Sequence, residues 1–379
     1  MGVPISHSIE THFQSLHDPR TVTPNIQHLF LDMLVIAICA VLCGANDWVA
    51  VAEFGQAQIQ WFQGFLQLPH GIPSHDTFTR VFARIAPEQF QQCFVAWVTH
   101  LAPLLPDDLV HIDGKTLRRS HDAPAGKAAI HMVSAWASRV SLVLGQRKTD
   151  AKSNEITAIP LLLDMLELTG CLVTIDAMGC QKTIADKIRA RGADYLLALK
   201  ENHPTLYQHV QAHFFPESVD WAAWRSLDFA HDIVPNRDRL EHRYCWVQSD
   251  LRWLPEADEW QDLKTIICLE TERHQQGAVS REVRYYLASR VMTAEEAIQA
   301  IRDHWSIENE LHWVLDVAFR EDEHRLRKGH GAQNFAMLRH LALNLLNQDA
   351  TTQAGTATKR LKAGWDVAYR EQLLQGLAA

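Results

Sequence analysis

The sequence predicts an α/β fold: a mixed sheet with flanking helices, an N-terminal helical domain ahead of it and a β-rich insertion within it. Three observations carry this. Residues 1 to about 100 show apolar positions at helical spacing. From about residue 107, short apolar strands and helices follow in the order β-β-β-α-β-α-β-α. Strand-like segments return between about 215 and 290, before a helical stretch resumes at Ala294. The expected divisions are therefore 1–105, a helical domain and a candidate binding module; 106–214, the first part of the core; 215–290, the insertion; 291–347, the helical end of the core; and 348–379, a linker and basic tail.

Pro24 to Cys43 reads as one apolar helix, and Asp47 to Phe65 as a second with Trp48, Val51, Phe54 and Trp61 inward. Pro and Gly break the chain in Leu68-Pro-His-Gly-Ile-Pro, and Ser74 is placed to cap a new helix. Helix, turn and helix suit a DNA-binding module, and equally a plain helical scaffold. Leu109 to Asp113 is a short apolar strand ending in a carboxylate. Ala128–Ser138 and Ser141–Lys148 read as two strands joined by a tight turn. Ile156–Leu168 is helical, Cys171–Asp176 is a second apolar strand ending in a carboxylate, and Lys182–Arg191 is helical. Asp194–Leu199 is a strand and Pro204–Phe214 a helix. In the insertion, Arg243–Val247, Lys264–Cys268 and Val283–Leu287 look like strands. Ala294 to about Leu346 is helical, and Thr351–Thr358 reads as a flexible linker.

Composition narrows the class. Hydrophobic residues make up 47% and charged residues 21% of the 379, which is ordinary for a soluble globular protein. The longest apolar run, Met33–Cys43, is too short to span a bilayer. The N-terminus lacks the basic-then-apolar order of a secretion signal, so a cytoplasmic, nucleoid-associated protein is expected. The 7 cysteines form no CxxC pair and read as buried, reduced thiols. A net charge of −9 argues against a protein that coats DNA broadly; contacts to nucleic acid would have to be concentrated in patches.

Asp113 and Asp176 each end an apolar strand, where an open α/β sheet presents its functional groups. A carboxylate leaving a central strand is costly to bury unless it is paired or binds a cation. The plainer reading is a turn or cap aspartate, since Asp113-Gly114 is an ordinary turn pair. Glu308 supplies a third carboxylate. Ile298, Ile301, Trp305, Glu308, His312, Leu315 and Phe319 fall in one helical row, which predicts that Glu308 faces a core or cleft. A buried structural glutamate paired with an arginine or His312 would account for the same pattern. Glu310 lies off the row and is expected in solvent. Converging carboxylates suit hard divalent cations, and two Mg²⁺ ions roughly 3.5–4 Å apart would suit phosphodiester chemistry. Zinc is disfavoured: there is no HExxH, and His304 and His312 stand two helical turns apart.

Basic residues flank these positions. Lys115, Arg118 and Arg119 follow Asp113, Lys182 follows Asp176, and Arg325, Arg327 and Lys328 follow the Glu308 helix. Arg237, Arg239 and Arg243 punctuate the insertion. Each alone is an ordinary surface charge; their clustering beside acidic sites points to phosphate binding.

Gly71–Phe78, His111–Lys115, Lys152–Ile156, Thr174–Lys182, Tyr195–Lys200 and His304–Asn309, continuing as Leu311–Asp322, resemble the H-repeat-associated branch of the insertion-sequence transposases. The resemblance extends over almost the whole chain, including Lys359–Lys362. It implies an RNase H-like core with a DDE triad of Asp113, Asp176 and Glu308, an N-terminal helical domain, and a β-rich insertion between the second Asp and the Glu. It implies Mg²⁺ as cofactor, with Mn²⁺ as a substitute, and as partners the terminal inverted repeats of the element and target DNA. Lys200, which closes the Tyr195–Lys200 stretch, joins the candidate DNA contacts. The wider group carries Tyr, Arg and Lys around its Glu, and Ile301, His304 and Leu315 stand there instead. His304, His312 or Arg302 would have to substitute. Holding two element ends together would suit a homodimer, although no heptad seam declares one. The competing readings are an RNase H-like nuclease without transposition and a catalytically inactive DNA-binding remnant.

Overall fold

The computed structural model describes residues 11–21, 26–121, 128–149, 155–215, 227–236, 239–275 and 277–375. The chain divides into two compact units. One comprises Met1–Pro103, Gly114–Lys152 and Glu308–Ala379; the other comprises Leu104–Asp113 and Ser153–Ile307. This division cuts across the expected linear order of domains, because the N-terminal helices share a unit with the C-terminal ones.

In the first unit the helices are α1 (Phe30–Leu42), α2 (Trp48–Ala57), α3 (Ile59–Phe62), α4 (His75–Phe82) and α5 (Pro87–Leu101). The α1 helix starts at Phe30 rather than near Pro24, and residues 22–25 lie outside the described ones. It is buried from Asp32 to Leu42, as a helix that is apolar all round from Met33 onward must be, and Asp32 accepts from the Leu68 amide at 2.9 Å. Asp47 caps α2 by accepting from the Ala50 amide at 2.8 Å. The single helix expected over Asp47–Phe65 is two, parted at Gln58. Ser74 caps α4 as its sequence position predicts, accepting from the Thr77 amide at 3.3 Å.

The β2 (Ile130–Ala137) and β3 (Leu142–Lys148) hairpin belongs to this unit too. Against it lies the long helix α11 (Gly331–Asn347), buried from Asn334 to Leu346. Asn344 takes both backbone groups of Val143, accepting from its amide and donating to its carbonyl at 2.9 Å each. The sheet edge at β3 is thereby covered, as an open edge requires.

In the segment expected as linker and basic tail, a helix is present as the basic stretch suggests, but it starts earlier and a second follows, α12 (Thr356–Trp365) and α13 (Val367–Gln375), and the charges are largely spent inside. Arg360 is buried and donates to the carbonyls of Val41, at 2.7 Å, and Ala318, with its guanidinium 4.0 Å over the Phe319 ring. Burial and the charge of Arg339 push it down to about 9. Replacing it with methionine takes the guanidinium from the carbonyls of Val41 and Ala318 and leaves the Val41 carbonyl with only the Gly44 amide at 3.3 Å among these contacts. Arg360→Met should cost about 2–4 kcal/mol, a melting-temperature drop of roughly 5–15 °C. A melt unchanged within a degree would show that these contacts are not structural.

In the second unit, α6 (Glu155–Leu163), β4 (Leu172–Ile175), α7 (Lys182–Ala190), β5 (Asp194–Leu199) and α8 (Pro204–Phe214) follow nearly as the sequence pattern predicts. The strand β1 (Leu109–Leu117) enters from this unit and pairs with β4 in parallel, and β4 pairs with β5 in parallel. All four β4 residues are buried, as a central parallel strand demands. The insertion supplies β6 (Asp228–Asn236), β7 (Arg239–Gln248), β8 (Thr265–Gln275) and β9 (Ala278–Ala288), an antiparallel meander. Its strands do not stand apart: β9 pairs with β5, so the insertion prolongs the core sheet. Strand order overall is β3-β2-β1-β4-β5-β9-β8-β7-β6, a mixed sheet of nine strands. The helix α9 (Ala294–His304) buries Ala297, Ile298 and Ile301 in a cluster with Leu172, Leu196, Ile267 and Leu269. β6 escapes the sequence reading because it is an edge strand, tolerant of Pro235 and with polar residues mixed among the apolar ones on both faces. Among the described residues no helix is long and apolar enough to cross a membrane, and none of the seven cysteines is in a disulfide.

Candidate active site

Leu109-Val-His-Ile-Asp113 and Leu172-Val-Thr-Ile-Asp176 share one pattern, and the structure sets them in register, Leu109 beside Leu172 through Ile112 beside Ile175. Asp113 and Asp176 therefore each come one residue past the last position at which the two strands pair; β4 ends there, whereas β1, expected to end at Asp113, runs on to Leu117. Both are half-buried. Asp176 leaves the strand and caps a 3₁₀ turn, accepting from the amides of Met178 at 3.1 Å and Gly179 at 3.3 Å. A side chain at residue 179 has no room, since a Cβ there would stand 2.3 Å from Ile175. Burial pushes the Asp176 carboxyl up, and so does the charge of Glu155; the two amides and Lys200 oppose them. Glu155 itself is buried at the start of α6. A carboxylate destabilised by burial and a neighbouring negative charge gains most from a cation.

Beneath the two aspartates lies a buried polar chain that the sequence reading missed. Thr174 Oγ1 stands 2.7 Å from His111 Nδ1 and 2.7 Å from His304 Nδ1, all within the second unit. Burial holds His111 down near 3 and His304 near 4, so both rings are neutral at pH 7. A threonine hydroxyl has one proton to give, so at least one of the two Nδ1 atoms must be the donor. The chain fastens the last residue of α9 to β4 and β1. Its signal was in the sequence: a polar residue at the same position of two otherwise apolar strands. Thr174→Val keeps the volume and deprives both rings of their partner. It should cost about 1–3 kcal/mol, whereas Thr174→Ser should melt close to the parent; equal melting of the two would remove the hydroxyl from the account.

The row expected to turn Glu308 inward does not form. The helix yields at Trp305, and Ile307–His312 is a π-helical turn before α10 (Trp313–Phe319). The wider turn shifts the register, so Ile307 and Leu311 take the buried positions between Ile301 and Leu315. Trp305 is 40% exposed, and Glu308 and Glu310 are exposed. Glu308 is thus presented outward on a π turn rather than aimed into a core. Such turns are frequent at functional sites.

The basic candidates fall into two groups. Arg119, Lys200, Arg325, Arg327 and Lys328 are exposed, as phosphate contacts must be. Arg118 is exposed too, and pairs with Asp322 at 3.2 Å. Lys182 pairs with Glu259, and Arg302 with Asp232 at 3.0 Å. Lys115 is only 10% exposed and pairs with Asp316 and Glu321. His304 is engaged with Thr174, and burial pushes the half-buried His312 down to about 4, so neither offers a cation at neutral pH. In the insertion, Arg243 pairs with Glu241 at 2.7 Å; Arg237 lies outside the described residues, as does most of the Lys152–Ile156 stretch. Glu321 and Arg339, both buried, carried no sequence signal beyond their place in helical or acidic runs.

Among the described residues no three His, Cys, Asp or Glu side chains stand together as a ready-made ion site. The chemistry of Asp113 and Asp176 fits a hard divalent cation, because both offer carboxylate oxygens and Asp176 sits in an acidic, desolvated place.

Comparison with known proteins bears on this arrangement. The family described as "Transposase DDE domain" matches residues 105–345, and that described as "DDE_Tnp_1-associated" matches residues 10–98. The chain is 38% identical over 358 residues to the H repeat-associated putative transposase YhhI of Escherichia coli (strain K12), covering 93% of this chain and 94% of that one. It is 38% identical over 371 residues to the putative transposase YncI of Escherichia coli O157:H7, covering 95% and 94%. An uncharacterized protein in the dhlA 3′ region of Xanthobacter autotrophicus is 44% identical over 279 residues, 73% of this chain and 92% of that one.

Proposed function

Since the chain belongs to the transposase family whose DDE domain covers residues 105–345, we propose that it cuts the ends of an insertion element and joins them to target DNA in a Mg²⁺-dependent reaction, with Asp113, Asp176 and Glu308 as the acting carboxylates. The observation that supports this most is the pair of aspartates side by side where the pairing of two adjacent parallel strands ends, one of them held in a desolvated acidic setting that favours a bound cation. The core is read as RNase H-like on the same ground and on the family match.

Asp113 and Asp176 supply oxygen ligands from a rigid sheet, and Glu308 supplies a third from its exposed turn. Mg²⁺, when bound, polarises the phosphodiester and lowers the cost of deprotonating the attacking oxygen. In the first step a water oxygen attacks phosphorus at the element end; the P–O3′ bond breaks, leaving a 3′-OH and a 5′-phosphate. In the second, that 3′-OH attacks a target phosphorus and the target P–O3′ bond breaks, releasing a target 3′-OH; one phosphodiester is lost as one is made, so no external energy is needed. The exposed cations Arg119, Lys200, Arg325, Arg327 and Lys328 hold phosphates, and the protein acts on two ends as a homodimer.

The test is a joining assay with purified protein and DNA carrying the terminal repeats of the element. With Mg²⁺, and with Mn²⁺ in its place, cleavage at the end and joined product are expected; with EDTA, neither. Cleavage without joining would leave a nuclease, and binding without cleavage a remnant.

A further inference from the structure

Lys115 reads from its sequence position as a phosphate contact, but its surroundings assign it another task. Its ammonium pairs with Asp316 on α10 and with Glu321 Oε2 at 3.1 Å, and donates to the His312 carbonyl at 3.3 Å. An ammonium has three N–H groups, and three acceptors take them. A phosphate approaching Lys115 would meet two carboxylates as well, so the place repels polyanions. His312 closes the π turn that carries Glu308, and Asp316 lies in the helix that follows it. Lys115, Glu308, His312, Asp316 and Glu321 all belong to the first unit. Glu321 is buried and is held in turn by Arg339 at 3.3 Å.

We propose that Lys115 is a positioning residue that fastens the π turn bearing Glu308 to the outgoing half of β1, and so sets where Glu308 presents its carboxylate. The inference rests on the reading of Glu308 as a metal ligand. A π turn is an uncommon conformation, frequent at functional sites, and its neighbours must hold it. Glu308 is exposed, so no packing around its own side chain directs it; its backbone must. The ammonium of Lys115 holds that backbone at the His312 carbonyl and at Asp316, on either side of the junction between the π turn and α10.

The experiment compares Lys115→Met, Asp316→Asn and Glu308→Gln with the parent. Mn²⁺ affinity is read by electron paramagnetic resonance of the free ion, and affinity for terminal-repeat DNA is read over a salt series. Melting curves choose a temperature at which each variant is folded. Lys115→Met should weaken Mn²⁺ binding at least fivefold while DNA affinity stays within twofold and its salt slope is unchanged. Asp316→Asn, milder because Asp316 is partly exposed, should weaken Mn²⁺ binding about threefold and serves if Lys115→Met does not fold. Unchanged Mn²⁺ affinity in these folded variants overturns the proposal. So does weaker DNA binding with a salt slope reduced by about 0.9, the mark of one lost phosphate contact. If Glu308→Gln binds Mn²⁺ like the parent, the reading of Glu308 itself fails; if it loses Mn²⁺ and Lys115→Met does not, only the role of Lys115 is lost.

Discussion

Asp113→Asn and Asp176→Asn should each slow cleavage of element ends by at least about a thousandfold, roughly 4 kcal/mol of transition-state stabilisation, with DNA affinity changed by no more than a few-fold. An asparagine has the shape of the aspartate but lacks its charge, and one of its two oxygens becomes an NH₂ that repels a cation. The two variants should differ in stability. Burial and Glu155 already make the Asp176 carboxylate costly, and an asparagine can still accept from the amides of Met178 and Gly179. Asp176→Asn should therefore melt at or above the parent temperature without metal, and lose the rise in melting temperature that Mg²⁺ gives the parent. Single-turnover cleavage and melts with and without Mg²⁺ measure both. Either variant cutting at the parent rate would remove that aspartate from the site.

Glu321→Gln should be among the most destabilising single changes in the chain, at about 3–5 kcal/mol. Burial alone would push the Glu321 carboxyl up, but Lys115, Arg339 and His340 overcome it and hold it near 2. Glutamine leaves Lys115 with Asp316 and leaves Arg339 buried over the Phe335 ring, 4.7 Å away, without its carboxylate. The sign with pH follows from the depressed value. A carboxyl near 2 in the fold and near its ordinary 4.5 when unfolded stabilises fully above 4.5, about 3 kcal/mol. That contribution is lost as pH falls from 4.5 to 2. Asp316, whose carboxyl burial pushes up, also faces this cluster. His312, His324 and His340 are held low by burial and erode stability from about pH 6.5 downward. Denaturant titrations should therefore show Glu321→Gln declining less than the parent between pH 4.5 and 2, with the loss at higher acidity-independent pH intact. A variant as stable as the parent at pH 7 would show that the cluster contributes nothing net.

Much of the second unit could be read before any coordinates. The runs Leu109–Asp113 and Leu172–Asp176 announce two buried strands, although β1 runs on past Asp113 to Leu117, and Asp194–Leu199 and Pro204–Phe214 fall where the pattern places them. The Ser74 cap was legible because capping is decided within three residues. The errors have one source. Lys115 and Arg360 look like surface cations along the chain, and their acceptors are contributed by segments about 200 and 320 residues away.

The amino-acid order alone therefore determined the elements whose signals are local: apolar runs, turn breakers, caps and the carboxylates at strand ends. Only the tertiary structure decided which charges face water, that the C-terminal helices close back on α1, and that a π turn, not a regular helix, carries Glu308. The reason is physical. Periodicity fixes a side chain's direction within its own element, whereas burial, pairing and helix register answer to partners that adjacent sequence does not specify.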